Sequence, residues 1–311
     1  MSERSVLQRW RTGLIVLALL IAVFLLLPHV YGNESLLFTL MTFIVLAQGL
    51  NLLYGFTGYL PFGYVGFFGC GAYATSLLVL HSGLPVLLCV VGGGLAAVVM
   101  GLILGPLLRL SGAYFSIASL AASQILYDVV SNTNLADITG GPYGLKIEQV
   151  YAPTASYHTM LVILVLATAL AAWFRLSAFG MGLRAMKQDP VSAAMAGINV
   201  VRARLITWLI SAGVAGLAGG AYAWNLSVFY PEAVFTLQIS VFAIVFSLFG
   251  GVGTVIGPII GASVLYSLYS VIGISTPQYF QLIYGLLIAL LVLFMPGGVL
   301  SLFARRGFRV F

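Results

Sequence analysis

The sequence predicts an all-α integral membrane protein with about ten transmembrane helices. Hydrophobic residues make up 61% of the 311 positions, and charged residues only 6%. A water-soluble domain carries about 25% charged residues, so this chain lacks the polar surface that a soluble globule needs. The apolar runs are long and continuous rather than alternating, which favours helices over the strands of a membrane β-barrel.

The positions of the charges divide the chain into predicted crossings. Residues 35–108 and 233–304 contain no Asp, Glu, Lys or Arg. Each block can hold three helices, because one crossing takes roughly 20 residues and a turn. The shorter uncharged blocks, which fit one helix each, are 12–33, 110–127, 149–174 and 205–231. The sum is ten crossings, with a range of eight to ten, and we treat residues 1–311 as one transmembrane domain.

The distribution of positive charge predicts that both termini are cytoplasmic. With ten crossings, every Lys and Arg except Lys146 then falls on the cytoplasmic side, as the positive-inside rule expects. This topology makes residues 131–157 a periplasmic loop and residues 175–204 the one sizeable cytoplasmic loop. The apolar run 14–27 has no small-x-small cleavage site before Pro28, so we interpret it as a retained first helix.

Two glycine clusters, at 55–63 and 250–257, interrupt the apolar runs. Irregular backbone at membrane depth is tolerated only where protein or a water-filled cavity surrounds it. Paired Gly/Pro-interrupted segments also indicate an internal repeat with a central pathway. Close packing of helices through small residues explains any single glycine equally well. The candidate pathway residues, which could instead be packing partners, are Asn51, Gly55, Gly58, Gly63, Tyr64 and Tyr73.

A short helix is predicted within the cytoplasmic loop. Asp189 precedes Pro190, which places an N-cap acceptor before a residue favoured at the first helical position. Gly197 occupies the place of a left-handed C-terminal cap. The helix should cover about 190–196 and lie outside the membrane. It could dock onto a soluble partner, or the charges beside it, including Arg184, could serve only to fix the topology.

The sequence indicates a transport subunit rather than an enzyme. The three histidines, at positions 29, 81 and 158, do not cluster, and the two cysteines lie in apolar runs. No G-x-x-x-x-G-K-[ST] phosphate loop is present, so we expect no ATP, metal or other cofactor on this chain. Coupling to an ion gradient also lacks support, because Asp128 is the one plausible ionisable group within a predicted helix.

Several segments resemble the permeases of Liv-type branched-chain amino-acid ABC importers. They are GLNLLYG at 49–55, LSGAYFSIASL at 110–120, ITGGPYGL at 138–145 and MKQDPVSAAMAGIN at 186–199. The similarity continues in register from about residue 38 to 300. The order of the motifs and the length of the chain are closer to the LivM-like member of the permease pair.

The resemblance implies a fold similar to type II ABC importer permeases in a bacterial inner membrane. It also implies a second homologous permease, two ATPase subunits that bind ATP and Mg, and a periplasmic substrate-binding protein; no nucleic acid is expected. The residues that the resemblance assigns to ATPase coupling are Arg184, Asp189, Pro190, Gly197, Ile198 and Asn199. Those that it assigns to contact with the binding protein are Gly140, Gly141, Pro142 and Gly144.

Two alternatives stay open at this point. The nearer one keeps the same machinery and changes the cargo to urea, a short amide, an aromatic acid or a simple sugar. The more distant one is a self-sufficient channel or secondary carrier.

Overall fold

Helices dominate the structure, a computed structural model that describes residues 3–275, 285–286, 289 and 298–300. Seven of its helical spans are long and apolar enough to cross a membrane, and two shorter apolar helices, Ile15–His29 and Gly257–Gly273, accompany them. The prediction of an all-α membrane protein is therefore confirmed. The count of about ten crossings stays a prediction, because the tenth predicted helix lies outside the described residues.

The helices follow the predicted order along the chain. They are α1 (Glu3–Tyr31), α2 (Glu34–Leu50), α3 (Val65–Ser82), α4 (Val86–Ile103), α5 (Ala113–Val130), α6 (Ala136–Thr139), α7 (Pro153–Leu176), α8 (Ala178–Gln188), α9 (Pro190–Met195), α10 (Val200–Leu226), α11 (Pro231–Phe235), α12 (Leu237–Gly250) and α13 (Gly257–Ser275). A π turn, Asn51–Gly55, extends α2. Shorter 3-10 turns cover Gly105–Arg109, Thr133–Leu135, Gly141–Tyr143 and Glu148–Val150. The strands β1 (Leu145–Lys146) and β2 (Val228–Phe229) pair antiparallel, with Leu145 opposite Phe229.

Both predicted loops are shorter than expected from the charges. The loop predicted at 131–157 ends at Ala152, because Pro153 opens α7 at a position where a missing N–H costs nothing. The other loop ends at Asn199 rather than at 204, because the Asn199 side chain accepts a hydrogen bond from the Arg202 N–H and caps α10. Arg202 and Arg204 therefore belong to the start of α10 rather than to the loop.

The helices α3, α4 and α10 pack against one another through glycines. A Cβ atom on Gly71 would collide with the Gly216 backbone, and one on Gly219 would collide with the Phe68 carbonyl oxygen. The backbones of α3 and α10 therefore touch directly, which is how small residues stabilise helix pairs in a membrane. At these positions the packing interpretation of the glycines is confirmed.

One face of α4 is exposed and apolar along its whole length. The exposed side chains recur every three or four residues: Leu88, Val91, Leu95, Val99 and Leu102. They form a continuous stripe on the helix surface. A stripe that offers no hydrogen-bonding side chain is suited to lipid. We call these five residues the α4 stripe.

Replacing Gly219 by alanine is expected to destabilise the protein by about 1–3 kcal/mol, because the new methyl group overlaps the Phe68 carbonyl and forces α3 and α10 apart. The measurement is the midpoint of thermal unfolding in detergent. Gly105→Ala is the matched control, since its methyl group would meet Leu205 at an ordinary 3.4 Å. Equal losses in the two variants would contradict the packing argument.

Candidate functional site

Two short helices, α8 and α9, lie in the connection between α7 and α10, and each begins at an N-cap residue. The Ser177 hydroxyl accepts from the Gly180 N–H at 3.1 Å, and an Asp189 carboxylate oxygen accepts from the Val191 N–H at 2.9 Å. Asn199 then caps α10, accepting from the Arg202 N–H at 3.0 Å. Each cap satisfies a backbone donor that a helix start leaves free. We call residues 177–199 the connecting segment.

The predicted helix of the loop is confirmed as α9, Pro190–Met195. Asp189 also accepts a hydrogen bond from the Ser192 hydroxyl. That bond and the backbone N–H groups of Val191 and Ser192 lower the pKa of Asp189 below its ordinary value. Gly197 ends the helix with φ of +87°, in the left-handed region predicted for it.

The helix α8 has no counterpart in the sequence prediction. Leu183 and Met186 are buried, whereas Met181 and Lys187 lie at the surface, so α8 is amphipathic and rests on the bundle. Ile198 lies close to Gly182 of α8, which holds the end of α9 near α8. The apolar residues at 179, 183 and 186 carry the helical spacing that could have predicted this element.

The two glycine clusters meet in space although about 200 residues separate them. A Cβ atom on Gly55 would lie 2.7 Å from the Gly253 nitrogen, so only glycine allows this approach. The Asn51 amide bridges the clusters: its Nδ2 donates to the Thr254 carbonyl at 2.8 Å, and its Oδ1 accepts from the Gly253 N–H at 2.7 Å. Gln48 Nε2 donates to the Val255 carbonyl at 2.7 Å.

We call this contact of residues 48–55 with 253–255 the glycine junction. Its function in the fold is to satisfy backbone groups of residues 253–255, which follow α12, with side chains from the end of α2. Glycine clusters that looked like two separate interruptions thus form one structural unit.

Two basic side chains connect the glycine junction to the connecting segment. Lys187 Nζ donates to the Gly55 carbonyl at 2.9 Å, and its ammonium also lies 5.7 Å from the centre of the Tyr54 ring. Partial burial lowers the pKa of Lys187 below its ordinary value. Arg175 Nη1 donates to the Gly253 carbonyl at 2.5 Å, and Arg184 Nη2 donates to the Arg175 carbonyl at 3.2 Å.

Five of the six candidate pathway residues are buried inside the subunit, and Gly58 alone among them is exposed. The Tyr64 hydroxyl donates to the Ser211 carbonyl at 2.9 Å, and the Gly63 N–H donates to Ser119 Oγ at 3.3 Å. The Tyr73 hydroxyl has no hydrogen-bond partner in the described part of the chain. These contacts show how the residues hold α2, α3, α5 and α10 together, and their relation to a pathway stays a prediction.

Helix α5 exposes a face that carries Asp128, the ionisable residue noted in the sequence, together with Gln124. Its exposed face includes Tyr114, Ile117, Ala121, Gln124 and Asp128, which we call the α5 stripe. Gln124 Nε2 donates to Asp128 Oδ1 at 3.1 Å. An ionisable residue on a membrane helix normally faces protein or water rather than lipid. The spacing of Gln124 and Asp128, one helical turn apart, is the signal that could have found this face.

An open cavity of about 240 Å³ adjoins the α5 stripe. Gln124 and Tyr127 line it from α5, and Glu232 and Phe235 line it from α11. It therefore combines amide and carboxylate groups with aromatic rings. Within the described residues, no three His, Cys, Asp or Glu side chains lie close enough together to hold a metal ion.

The four candidate contact residues of the outer loop form a tight turn. Gly140, Gly141 and Gly144 all have positive φ angles, which glycine adopts without strain. A Cβ atom on Gly144 would collide with the Phe229 carbonyl oxygen, next to the paired strands β1 and β2. Pro142 is exposed at the tip of the turn. The turn thus has a rigid base and an accessible tip.

Comparison with known proteins gives consistent results. Residues 33–293 match the family described as branched-chain amino acid transport system / permease component. The chain is 28% identical over 305 residues to the high-affinity branched-chain amino acid transport system permease protein LivM of Salmonella typhimurium, covering 87% of this chain and 70% of the relative. It is 27% identical over 279 residues to the probable branched-chain amino acid transport permease protein LivH of Methanocaldococcus jannaschii, covering 80% and 84%.

A third relative is named for a different transported solute. The chain is 30% identical over 181 residues to the fructose import permease protein FrcC of Rhizobium meliloti, covering 55% of this chain and 50% of the relative. No solved structure matches the chain. The family match covers most of the sequence and includes the connecting segment, the glycine junction and the α5 stripe. On these grounds the chain, a multi-pass membrane protein, belongs to the branched-chain amino acid transport permease family.

Proposed function

We propose that this chain is the transmembrane permease subunit of an ABC importer that moves branched-chain or other hydrophobic amino acids across a bacterial inner membrane. Membership of the permease family supports the importer role. The names of the LivM and LivH relatives support the amino-acid cargo. ATP and Mg would be bound by two partner ATPase subunits, and this chain would carry no catalytic, cofactor or metal site.

The observation that carries the proposal is the hydrogen-bonded link between the connecting segment and both glycine clusters. Lys187 of α8 donates directly to the Gly55 carbonyl. Arg184 of α8 donates to the Arg175 carbonyl at the end of α7, and the Arg175 side chain donates to the Gly253 carbonyl. A displacement of α8 would therefore reach the end of α2 through one hydrogen bond and the residues after α12 through two. Coupling of a docked ATPase to a membrane pathway requires such a connection.

Exposed apolar side chains on α9 favour docking over a purely topological role. Val191 is 68% exposed and Met195 is 84% exposed, on a segment outside the candidate membrane spans. Charges alone would fix the topology, whereas exposed apolar groups on a capped helix indicate a protein partner. The residues to which we assign ATPase coupling are Arg184, Asp189, Pro190, Gly197, Ile198 and Asn199.

The pathway is proposed to run along the α5 stripe, between this chain and a second homologous permease. Asp128 and Gln124 are unsuited to lipid, and a facing subunit would enclose them in a polar channel. The backbone at 58–64 borders α5, because the Ser116 hydroxyl donates to the Leu60 carbonyl at 2.6 Å. Among the candidate pathway residues, the buried ones would shape this border and Gly58 would face the channel.

The remaining partner and the orientation follow from the same topology. With cytoplasmic termini, the connecting segment faces the ATPase subunits, and the turn at 140–144 faces the periplasm. The exposed tip of that turn is proposed to contact the substrate-binding protein. The cavity beside Glu232 opens near the same end and would admit a small solute from it.

Two alternative functions stay open: another cargo for the same machinery, which one relative supports, and a self-sufficient channel or carrier, which one experiment can test. The FrcC relative favours a simple sugar as the alternative cargo of the same machinery, with urea, short amides and aromatic acids as further candidates. A self-sufficient channel or secondary carrier is the more distant alternative, and uptake by the purified chain alone in liposomes would support it.

The decisive experiment is affinity purification of the tagged chain from its native host in mild detergent, with partners identified by mass spectrometry. We expect two ATPase subunits, or two copies of one, together with a second permease. Ligand binding to the cognate binding protein then identifies the cargo. Reproducible recovery of the folded chain alone would overturn the importer proposal.

The cap of α9 gives the first prediction. Asp189→Ala should weaken association with the ATPase, because loss of an N-cap destabilises a helix by about 0.5–2 kcal/mol and α9 has only six residues. Asp189→Asn is the matched control, since asparagine caps as well as aspartate. Co-purified ATPase, normalised to permease, is the readout. Equal retention of ATPase by both variants would refute the docking role of α9.

The link from Lys187 to Gly55 gives the second prediction. Lys187→Met keeps the apolar stem and removes the donor, so ATPase association should persist while solute uptake per ATP hydrolysed falls several-fold. Lys146→Met is the control, because Lys146 lies exposed on β1, away from the glycine junction. Both quantities are measured in proteoliposomes with the complete complex. Unchanged uptake per ATP in the Lys187 variant would show that this bond transmits nothing.

A further inference from the structure

A second cavity, of about 310 Å³, lies between the end of α4 and the start of α10. Its apolar lining includes Leu102, Val201 and Leu205, and its polar lining includes Arg109 and Arg204. It lies at the end of the bundle that carries the connecting segment, because α10 starts directly after that segment. None of the residues assigned to coupling, pathway or binding-protein contact lines it.

Arg204 is held in this cavity by contacts that leave part of its guanidinium unused. Its Nη1 donates to the Leu108 carbonyl at 3.2 Å, and its guanidinium lies 4.2 Å from the centre of the Tyr59 ring. Its Nε is buried and has no hydrogen-bond partner among the described residues. Protein atoms enclose this nitrogen, and Arg204 presents other atoms of its side chain to the cavity, so that its positive charge lies at the cavity wall.

Arg109 adds a second positive charge at the mouth of the same cavity. It is exposed at the end of the Gly105–Arg109 turn. Among the residues that the structure describes, no Asp or Glu lines the cavity. Two guanidinium groups, with planar N–H forks and no carboxylate beside them, match a phosphate group better than any neutral ligand.

The surroundings of the cavity show what kind of phosphate compound would fit. Leu102 lines the cavity and is also the last residue of the α4 stripe. The apolar stripe therefore runs from the two arginines into the membrane-spanning part of α4. A molecule with a phosphate at one end and long apolar chains at the other would contact both features.

We propose that this cavity binds the phosphate of an anionic glycerophospholipid, whose acyl chains lie along the α4 stripe. Arg204 orients the phosphate and Arg109 supplies the second charge at the opening. Basic pockets between membrane helices on the cytoplasmic side bind lipid headgroups in this way. The site is independent of the importer proposal, since it requires only that the chain spans a membrane with this end in the anionic leaflet.

The test uses the full-length chain, purified in detergent and stripped of lipid. Phosphatidylglycerol is titrated while the thermal unfolding midpoint is followed, with phosphatidylcholine of the same acyl chains and inorganic phosphate as separate arms. We expect a saturable rise in the midpoint with phosphatidylglycerol alone. Arg109→Gln should weaken the apparent affinity by about five-fold, the effect of one surface arginine, and Arg109→Lys should restore part of it.

Arg202→Gln is the matched control. It removes the same charge two residues from Arg204, and Arg202 is exposed but does not line the cavity. Affinity for phosphatidylglycerol should be unchanged in this variant. If the Arg202 and Arg109 variants lose affinity for phosphatidylglycerol equally, the lipid is attracted by the general positive charge and not by a specific site. A rise in the unfolding midpoint with phosphatidylcholine would show that the arginines do not select an anionic lipid. An equal rise with inorganic phosphate would show that the acyl chains do not contribute to binding.

Discussion

The bridge that the Asn51 amide makes to residues 253 and 254 is the interaction on which the central arrangement depends. A bilayer offers no water to broken backbone, and each unsatisfied group there costs several kcal/mol. The chain places the end of α2 against the residues that follow α12, so that one amide side chain on the first satisfies both a donor and an acceptor of the second. Glycine at 55 lets the backbones approach closely enough for this contact.

Composition and charge spacing predicted the membrane class and the positions of most helices, because a chain with 6% charged residues cannot cover a soluble fold with polar surface. The caps of α9 were equally readable, since Asp-Pro at one end and Gly197 at the other specify local backbone geometry. Asn51 was ambiguous for a physical reason. A polar residue in an apolar run can line water or bridge backbone, and only the position of residues 253–255 distinguishes the two.

Two functional elements were only partly evident from the sequence, because their meaning depends on neighbours. The basic residues of 175–204 were interpreted through topology, although Lys187 and Arg175 also donate to carbonyls of the glycine junction. Asp128 was noted as the one plausible ionisable group within a predicted helix, and the structure adds that it shares an exposed face of α5 with Gln124. A positive charge that the positive-inside rule explains can thus also donate to a backbone carbonyl beside a helix end.

The direct backbone contact of α3 with α10 limits how the protein can move. Helices that touch through Gly71, Gly216 and Gly219 have no side-chain layer that could slide or re-pack, so they behave as one stiff block. Helix α5 packs as closely against the residues that precede α3, because a Cβ atom on Gly63 would collide with the Ser119 carbonyl oxygen, and the Gly63 N–H donates to Ser119 Oγ at 3.3 Å. A rigid-body displacement of α3, α5 and α10 together would preserve these contacts, whereas the sliding of one of these helices past another would break them.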